Sequence, residues 1–448
     1  MTLEALDSFS KKELIAIILA QAEMIEVLQT RVAELEAKPG EPPKTPDNSS
    51  RPPSSGHKAN RPPTEKKRRM GRMGTSRKLV ASPDHVRDVF AATCPHCDAP
   101  ASPCDQPDVH AYDHIDLPPV APITTRIRLH SGECRCCGGR IKAAAPGDMP
   151  PGSPFGPGIV AVVIYLHARH MVSYERLREI LNGLFGLEIS EGAIANMLKR
   201  CGDCFADEAE RIEAEVRKSL VIASDETSAR VMGQTCWQWV FASKTAVCHR
   251  IAARRAKAVV EDFLGKAQPE VWVSDRYGGQ TGHARLHQAC LAHILRDAQY
   301  AIDAGDTIFA PGFKFLIKRA LAIGRRRDRL KDATLKAYER DLARRLALLL
   351  ARKPDTVAGR KLRNGMDKAR DKLFVFVTRR DVPATNNLSE RLLRLSVIFR
   401  KVTNGFRSAW GAQVYADICS VTATGNLYGL TAIDAIRTCL AGRSVITA

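Results

Sequence analysis

The sequence predicts a multidomain α/β protein: an N-terminal coiled coil, a cysteine-knuckle ribbon, a helical domain, and a C-terminal domain built on a mixed sheet with a helical insertion. Three observations carry this. A seven-residue apolar period runs from Leu14 to Leu35. Two Cys-x2-Cys pairs follow a proline-rich stretch. From residue 219 the apolar residues gather into runs of strand length, two of which end in an aspartate. The length of 448 residues, at roughly 150 residues per domain, agrees with about three domains.

Hydrophobic residues make up 44% of the chain and charged residues 26%, so real cores can form and global disorder is excluded. The formal net charge of +19 points to a polyanionic partner, nucleic acid before membrane; the alternative is a basic protein that is merely soluble. The longest apolar run, Ile159 to Leu166, falls far below the roughly 18 residues a membrane span needs. Lys11 and Lys12 before Leu14 to Ala20, with Ala20-Gln21-Ala22, imitate a signal peptide, but the apolar period continues past that point. Five of the thirteen cysteines fall in two clusters with metal-ligand spacing, which fits zinc and a reducing, cytoplasmic setting.

Residues 1–37 read as the coiled coil. Leu14, Gln21, Leu28 and Leu35 lie seven apart, with Ile18, Ile25 and Val32 between them. Branched residues at one seam position and Leu at the other favour a parallel two-stranded coil, hence a homodimer or higher oligomer. Ser10 and Glu13 have capping-box spacing at its start. The alternative is one amphipathic helix packed on its own domain.

Residues 38–80 read as a basic, Pro-rich linker. It carries eight prolines, and twelve Lys or Arg against three acids. Such a segment lacks the apolar surface to order itself, and Lys66, Lys67, Arg68 and Arg69 form its tightest patch for DNA phosphates. A solubilising spacer is the competing reading.

Residues 81–150 read as a zinc ribbon. Cys94, Cys97, Cys134 and Cys137 are the expected Zn²⁺ ligands, with Cys104 and Cys136 as spares. Two knuckles can place four thiolates around one tetrahedral ion, a closed site that holds a fold and does no chemistry. Ile115, Leu117, Ile123, Ile127 and Leu129, between the knuckles, suit short strands.

Residues 151–218 read as a helical, HTH-like DNA-binding domain. Ile180-Leu181 and Leu184-Phe185 precede Gly186, and Ser190 caps the helix from Glu191 to Leu198. Any helical hairpin shares that pattern. Cys201 and Cys204 lie on a helix without a second knuckle nearby and are read as core packing.

Residues 219–448 hold the chemistry. Leu220 to Ala223 is an apolar run ending at Ser224-Asp225-Glu226-Thr227; Cys236 to Ala242 and Ala246 to Ala252 are two further strands. Ala256 to Leu264 is a helix, and Val271-Trp272-Val273-Ser274 runs into Asp275. Three strands, a helix and a fourth strand make the opening order of an RNase H-like fold. Two strands thus present an aspartate at their carboxyl ends, where open sheets place ligand sites; the competing reading is turn capping. Glu226 is the rival to Asp225, but on a strand it faces the other way.

A third carboxylate is needed on a helix beside the sheet, and Glu390 is the candidate. Leu388, Leu392, Leu395 and Phe399 share one helical face, while Glu390, Arg394 and Lys401 share the opposite one. Asn387 and Glu390 also have capping-box spacing, so Glu390 could serve only as a cap. Attack on a phosphodiester needs one oxygen activated and another stabilised, which two Mg²⁺ ions (or Mn²⁺) held by carboxylates do together. Asp225 would bridge the ions, with Asp275 on one and Glu390 on the other. Between Asp275 and Glu390 lie 114 residues. The stretch at about 300–380 reads as an inserted helical subdomain, dense in cations including Arg325-Arg326-Arg327, which either clamps DNA or forms a solvated surface.

These residues resemble the bacterial DDE transposases of the insertion-sequence-66 family over nearly the whole chain. The linker string Asn48-Ser49-Ser50-Arg51-Pro52-Pro53-Ser54-Ser55 and the knuckles at Cys94/Cys97 and Cys134/Cys137 are similar to that family's. Asp225-Glu226-Thr227 and Asp275 resemble its first two catalytic acids, and His287 through Arg296 the helix after them. Asn386-Asn387, Glu390-Arg391 and Arg400-Lys401 resemble its glutamate helix, followed by Gly405-Phe406-Arg407-Ser408 and Gly411-Ala412. Two features depart: Thr385 stands where the family commonly has an aspartate, and Arg68 to Lys78 lacks the usual Gly-Gln-Pro-Gly-His string.

The resemblance implies a transposase that binds the terminal inverted repeats of its element, cleaves a strand and transfers it by a two-metal DDE mechanism. Asp225, Asp275 and Glu390 would be catalytic and hold Mg²⁺. Arg391, Arg394, Arg400, Lys401 and Arg296 would contact DNA. Small companion proteins of the same element are further implied partners. The alternatives are a zinc-ribbon, coiled-coil DNA-binding regulator and an RNase H-like nuclease without strand transfer. Cys290-x2-His293, with His283 and His287 upstream, allows a second zinc; bracing of the helix that carries Arg296 is the favoured role.

Overall fold

The apolar runs after residue 219 become a five-strand mixed sheet in a computed structural model, which describes residues 10–36, 42–49, 77–108 and 110–446. The basic cluster Lys66 to Arg69 lies outside the described residues. Those described divide into two compact units. Parts of Met1–Gly56, Ile127–Arg178 and Ile189–Ala448 make the first, and parts of His57–Arg126 and Glu179–Glu188 the second.

The first unit opens with α1 (Lys11–Glu36), 26 residues long. Ile18, Ile25 and Leu28 of the heptad seam stand more than half exposed on it. Residues 42–49 are held by hydrogen bonds rather than apolar burial. Asn48, 4% exposed, accepts from Thr45 N (2.7 Å) and donates to Pro43 O (3.1 Å) and Asp303 Oδ2 (2.9 Å).

Cys134 and Cys137 sit in a turn between β1 (Ser131–Glu133) and β2 (Arg140–Lys142), an antiparallel pair. The strands expected at Ile115 to Leu129 are not formed; those five residues are exposed. Pro118, Pro119 and Pro122 lack the N–H that a ladder needs and interrupt this apolar sequence before Ile123.

Helices α2 (Pro157–Ile164), α3 (Tyr174–Phe185), α4 (Glu191–Arg200) and α5 (Gly202–Arg217) follow. Ser190 caps α4 as expected, its Oγ accepting from Ala193 N at 3.2 Å. Cys201 and Cys204 pack at the start of α5, where Cys439 Sγ donates to Cys204 O.

The sheet comprises β3 (Val221–Val231), β4 (Gln234–Ala242), β5 (Val247–Ala252), β6 (Val271–Ser274) and β7 (Leu286–Ala289), in the order β5-β4-β3-β6-β7. The first three strands pair antiparallel; β6 pairs parallel with β3, and β7 with β6. The crossover α6 (Lys257–Leu264) covers one face, where Phe263 stacks on Phe241 at 3.7 Å between centroids and Trp272 closes the aromatic core. The other face carries Ala223, Val271, Val273 and Ala289. β7 corrects the expected helix at His287–Arg296: His287, Gln288 and Ala289 are buried strand residues, and α7 (Leu291–Asp303) starts only after Cys290.

The insertion is α8 (Ala310–Gly324), α9 (Asp332–Leu350), α10 (Val357–Lys368) and α11 (Val375–Thr378). Phe313, Ile317, Leu342 and Phe376 share one core with Val271 and Val273 of the sheet, so these helices complete its hydrophobic face. Arg327 serves this packing: its guanidinium donates to the carbonyls of Phe376, Arg379, Arg380 and Val382. The chain ends with α12 (Asn387–Thr403), α13 (Ala409–Leu427) and α14 (Ala432–Leu440). No described helix is long and apolar enough to cross a membrane.

On α12 the buried face differs from the expected one. Ser389, Leu393, Ser396 and Phe399 are buried, while Leu388, Leu392 and Leu395 are half-buried flanks. Two serines at the centre let the helix approach β3 and β4 closely, which four large residues would prevent.

Candidate active site

Asp225 lies in the middle of β3 rather than at its end, because the hairpin with β4 continues to Val231. The parallel pairing with β6 stops at Ala223↔Val273, so Asp225 stands just beyond the point where β3 loses that neighbour. Asp275 follows β6 directly. Its Oδ1 accepts from Tyr277 N at 2.9 Å.

Strand register separates the two adjacent acids. Asp225 pairs with Val240, on the face that packs against α12; Glu226 pairs with Trp239, on the face of α6. Glu226 is occupied there. Arg255 contacts it at 2.6 Å and Gln280 Nε2 donates to it at 2.6 Å, while Arg255 stacks over the rings of Tyr277 and Trp237. Burial, then the charges of Glu226 and Asp275, push the Asp225 carboxyl up to about 7.

Glu390 sits in the first turn of α12. The start of this helix is tied to the sheet: Asn386 Nδ2 donates to Ser224 O at 2.8 Å, and Asn386 N donates to Cys290 Sγ at 3.1 Å. His293 Nδ1 lies 3.7 Å from Glu390 Oε1. A hydrogen bond with Cys290 and the nearby Cys290 and Glu390 charges outweigh burial and raise His293 to about 9, and His293 in turn favours the charged form of Asp225. His293 thus stands beside Glu390, and its charge reaches Asp225.

Asp225, Asp275 and Glu390 are not within 4.8 Å of one another. Among the described residues, the one group of three or more metal-ligating side chains that close is Cys290, His293 and Glu390. His283 and His287 precede α7 and lie outside this group, bonded instead to Gly279 O and Ser274 Oγ.

Of the basic candidates, Arg391, Arg394 and Lys401 are exposed on α12. Arg400 is engaged, donating to the carbonyl and hydroxyl of Ser228 on β3. Arg296 lines a cavity of about 450 Å³ with Thr45, Asp47, Gln299, Asp303 and Lys314. The two knuckles share one local geometry. Cys94 N donates to Ala99 O and Asp98 N to Cys94 O, as Cys134 N does to Gly139 O and Gly138 N to Cys134 O. Backbone N–H groups of His96 and Cys97 lower the Cys94 thiol, and those of Cys137 and Cys136 lower Cys134. Cys94 and Cys97 belong to the second unit, Cys134 and Cys137 to the first.

Sequence reasoning missed the anchoring roles of Asn386 and Arg400, and gave Cys290 a bracing role without its partner Asn386. The neighbouring Asn386-Asn387 pair was the available signal for the first.

A mixed five-strand sheet flanked by helices, with acids where the parallel pairing ends, is consistent with a transposase. The Transposase IS66 family matches residues 152–414, more than half of the chain, and the chain belongs to that family. Membership brings the family's general activity, cleavage and transfer of DNA, and its general use of divalent metal. No curated protein matched the chain.

Proposed function

We propose that this chain binds the terminal inverted repeats of its own mobile element and cleaves and joins DNA through Asp225, Asp275 and Glu390. The supporting observation is the tie of the Glu390 helix, through Asn386, to the strand residue beside Asp225. The sheet order β5-β4-β3-β6-β7, with three antiparallel and two parallel strands, agrees with an RNase H-like catalytic domain.

The residues suit a divalent cation. Asp225 and Asp275 repel each other strongly enough to help raise Asp225, a strain that a bound cation relieves. Asp225, Asp275 and Glu390 would hold Mg²⁺ (or Mn²⁺), which when bound supplies charge stabilisation for the attacking and leaving oxygens. Binding of the DNA backbone falls to Arg391, Arg394 and Lys401 on the exposed side of α12, with Arg296 one helix away. Arg400 holds β3 in place while they do so.

The knuckle cysteines Cys94, Cys97, Cys134 and Cys137 carry a structural Zn²⁺ in this reading; the lowered Cys94 and Cys134 thiols favour the metal-binding form. The exposed seam of α1 pairs with a second copy to hold two element ends together. Small companion proteins and a place at the nucleoid complete the reading.

The test is a paired cleavage and strand-transfer assay with labelled element ends, supercoiled target and Mg²⁺. Asp225→Ala, Asp275→Ala and Glu390→Ala each lose joined product by more than about 100-fold, with end binding kept, as expected when several kcal/mol of charge stabilisation goes. Cut ends that never join would favour a nuclease. End binding unchanged in all three, with no chemistry in the unaltered chain even with companion proteins added, would favour a regulator.

A further inference from the structure

We propose that Cys290, His293 and Glu390 form a second metal site, selective for zinc or a similar thiophilic divalent ion, that competes with the catalytic use of Glu390. The site itself stands on geometry; only its consequence for strand transfer rests on the transposase reading.

The three side chains come from two elements. Cys290 stands at the N-cap position of α7, His293 lies in its first turn, and Glu390 lies in the first turn of α12. One ligand atom from each falls within 4.8 Å of the others. The His293 Nδ1 to Glu390 Oε1 separation is 3.7 Å. Donors on a tetrahedral zinc ion lie about 3.3–3.6 Å apart, given bonds of about 2.0–2.3 Å. Small side-chain rotations therefore close the site.

Two of the donor atoms meet each other only as an ion pair too long for a hydrogen bond. His293 Nδ1 and Glu390 Oε1 are both shielded from solvent and have no hydrogen-bond partner. Buried polar atoms without partners are rare, and an unplaced ion is one of the standard reasons for them. The third donor is prepared as a ligand: Cys290 Sγ accepts from Asn386 N, as metal-bound sulfur commonly does, and Cys290 is 1% exposed.

Sulfur and imidazole select the ion. Mg²⁺ takes oxygen ligands, whereas zinc takes Cys, His and carboxylate together. His293 and Glu390 keep side-chain exposures of 22% and 33%, so an ion can enter from solvent and retain water in its fourth position. Zinc held here draws Glu390 toward Cys290 and away from Asp225 and Asp275.

Zinc bound per full-length chain, measured after zinc loading and dialysis, tests the site. Cys290→Ser, His293→Gln and Glu390→Gln should each bind one zinc fewer than the unaltered chain. Far-ultraviolet circular dichroism and metal-free thermal unfolding identify any variant that fails to fold, and the remaining two then decide. An unchanged count in the folded variants overturns the proposal. In the strand-transfer assay, zinc should inhibit the Mg²⁺-supported reaction, at a concentration at least about tenfold higher for Cys290→Ser. An identical zinc response in that variant overturns the competition. If the unaltered chain joins no DNA, the transposase reading fails while the zinc count still stands or falls by itself.

Discussion

The side-chain amide of Asn386 donates to the backbone carbonyl of Ser224 across a sequence separation of 162 residues. Ser224 precedes Asp225 and Asn386 opens the helix of Glu390, so this single 2.8 Å bond fixes the strand of one proposed catalytic acid against the helix of another.

Asn386→Ala removes the bond and leaves a buried carbonyl without that partner. The expected cost is about 1–3 kcal/mol in denaturant unfolding. Strand transfer should fall further than that loss of stability explains, because Glu390 is no longer held beside β3. A variant that is destabilised but joins DNA at the unaltered rate well below its unfolding transition would refute the positioning role.

Arg327 is a packing residue, although it belongs to the most basic triplet of the insertion. Its guanidinium serves four carbonyls between Phe376 and Val382. Arg327→Ala should destabilise the chain by about 2–4 kcal/mol while leaving the salt dependence of DNA binding unchanged. A shallower salt slope at retained stability would mean that Arg327 meets phosphate after all.

Asp417 on α13 is 3% exposed, and burial, with Glu213 nearby, pushes its carboxyl up to about 6. Gln413 Nε2 donates to one of its oxygens at 2.9 Å. Between roughly pH 4 and pH 6 the folded chain therefore holds this proton more tightly than the unfolded chain does, so its contribution to stability is full below about pH 4 and lost as pH rises through about 6. Asp417→Asn should flatten that part of the stability profile and leave the variant more stable at pH 7, by on the order of 2–3 kcal/mol. Thermal unfolding in a pH series reads this directly; parallel profiles for the two proteins would contradict it.

Gly405 adopts φ +106°, and a Cβ there would lie 2.5 Å from Arg230 O. That carbonyl accepts from Phe406 N at 2.8 Å, where the segment after α12 bridges to the end of β3. Gly405→Ala should cost about 1–3 kcal/mol and loosen the β3–β4 hairpin tip. Faster amide exchange at Met232, which donates to Phe406 O, is the local readout.

Most of the sheet was legible, because continuous apolar runs such as Val271 to Val273 have few other ways to bury both faces. β7 was hidden because His287 and Gln288 are polar; each is buried by a specific hydrogen bond that no periodicity announces. The buried face of α12 was misplaced for a related reason, since Ser389 and Ser396 lie inside where leucines would have been expected. The two aspartates could be chosen from their strands. The Cys290–Asn386 contact could not, because it joins residues 96 positions apart.

The segment from Asn386 to Phe406 starts beside Asp225 and finishes on the tip of the same hairpin, lying along β3 like a splint. Both aspartates are synthesised more than a hundred residues before it. A nascent or truncated chain ending short of this segment would carry two of the three proposed acids and an unbraced strand, so under the proposed function DNA-cutting competence would wait until this segment has left the ribosome. Late, long-range closure delays self-assembly, and under the proposed function copies terminated before it would lack the third acid.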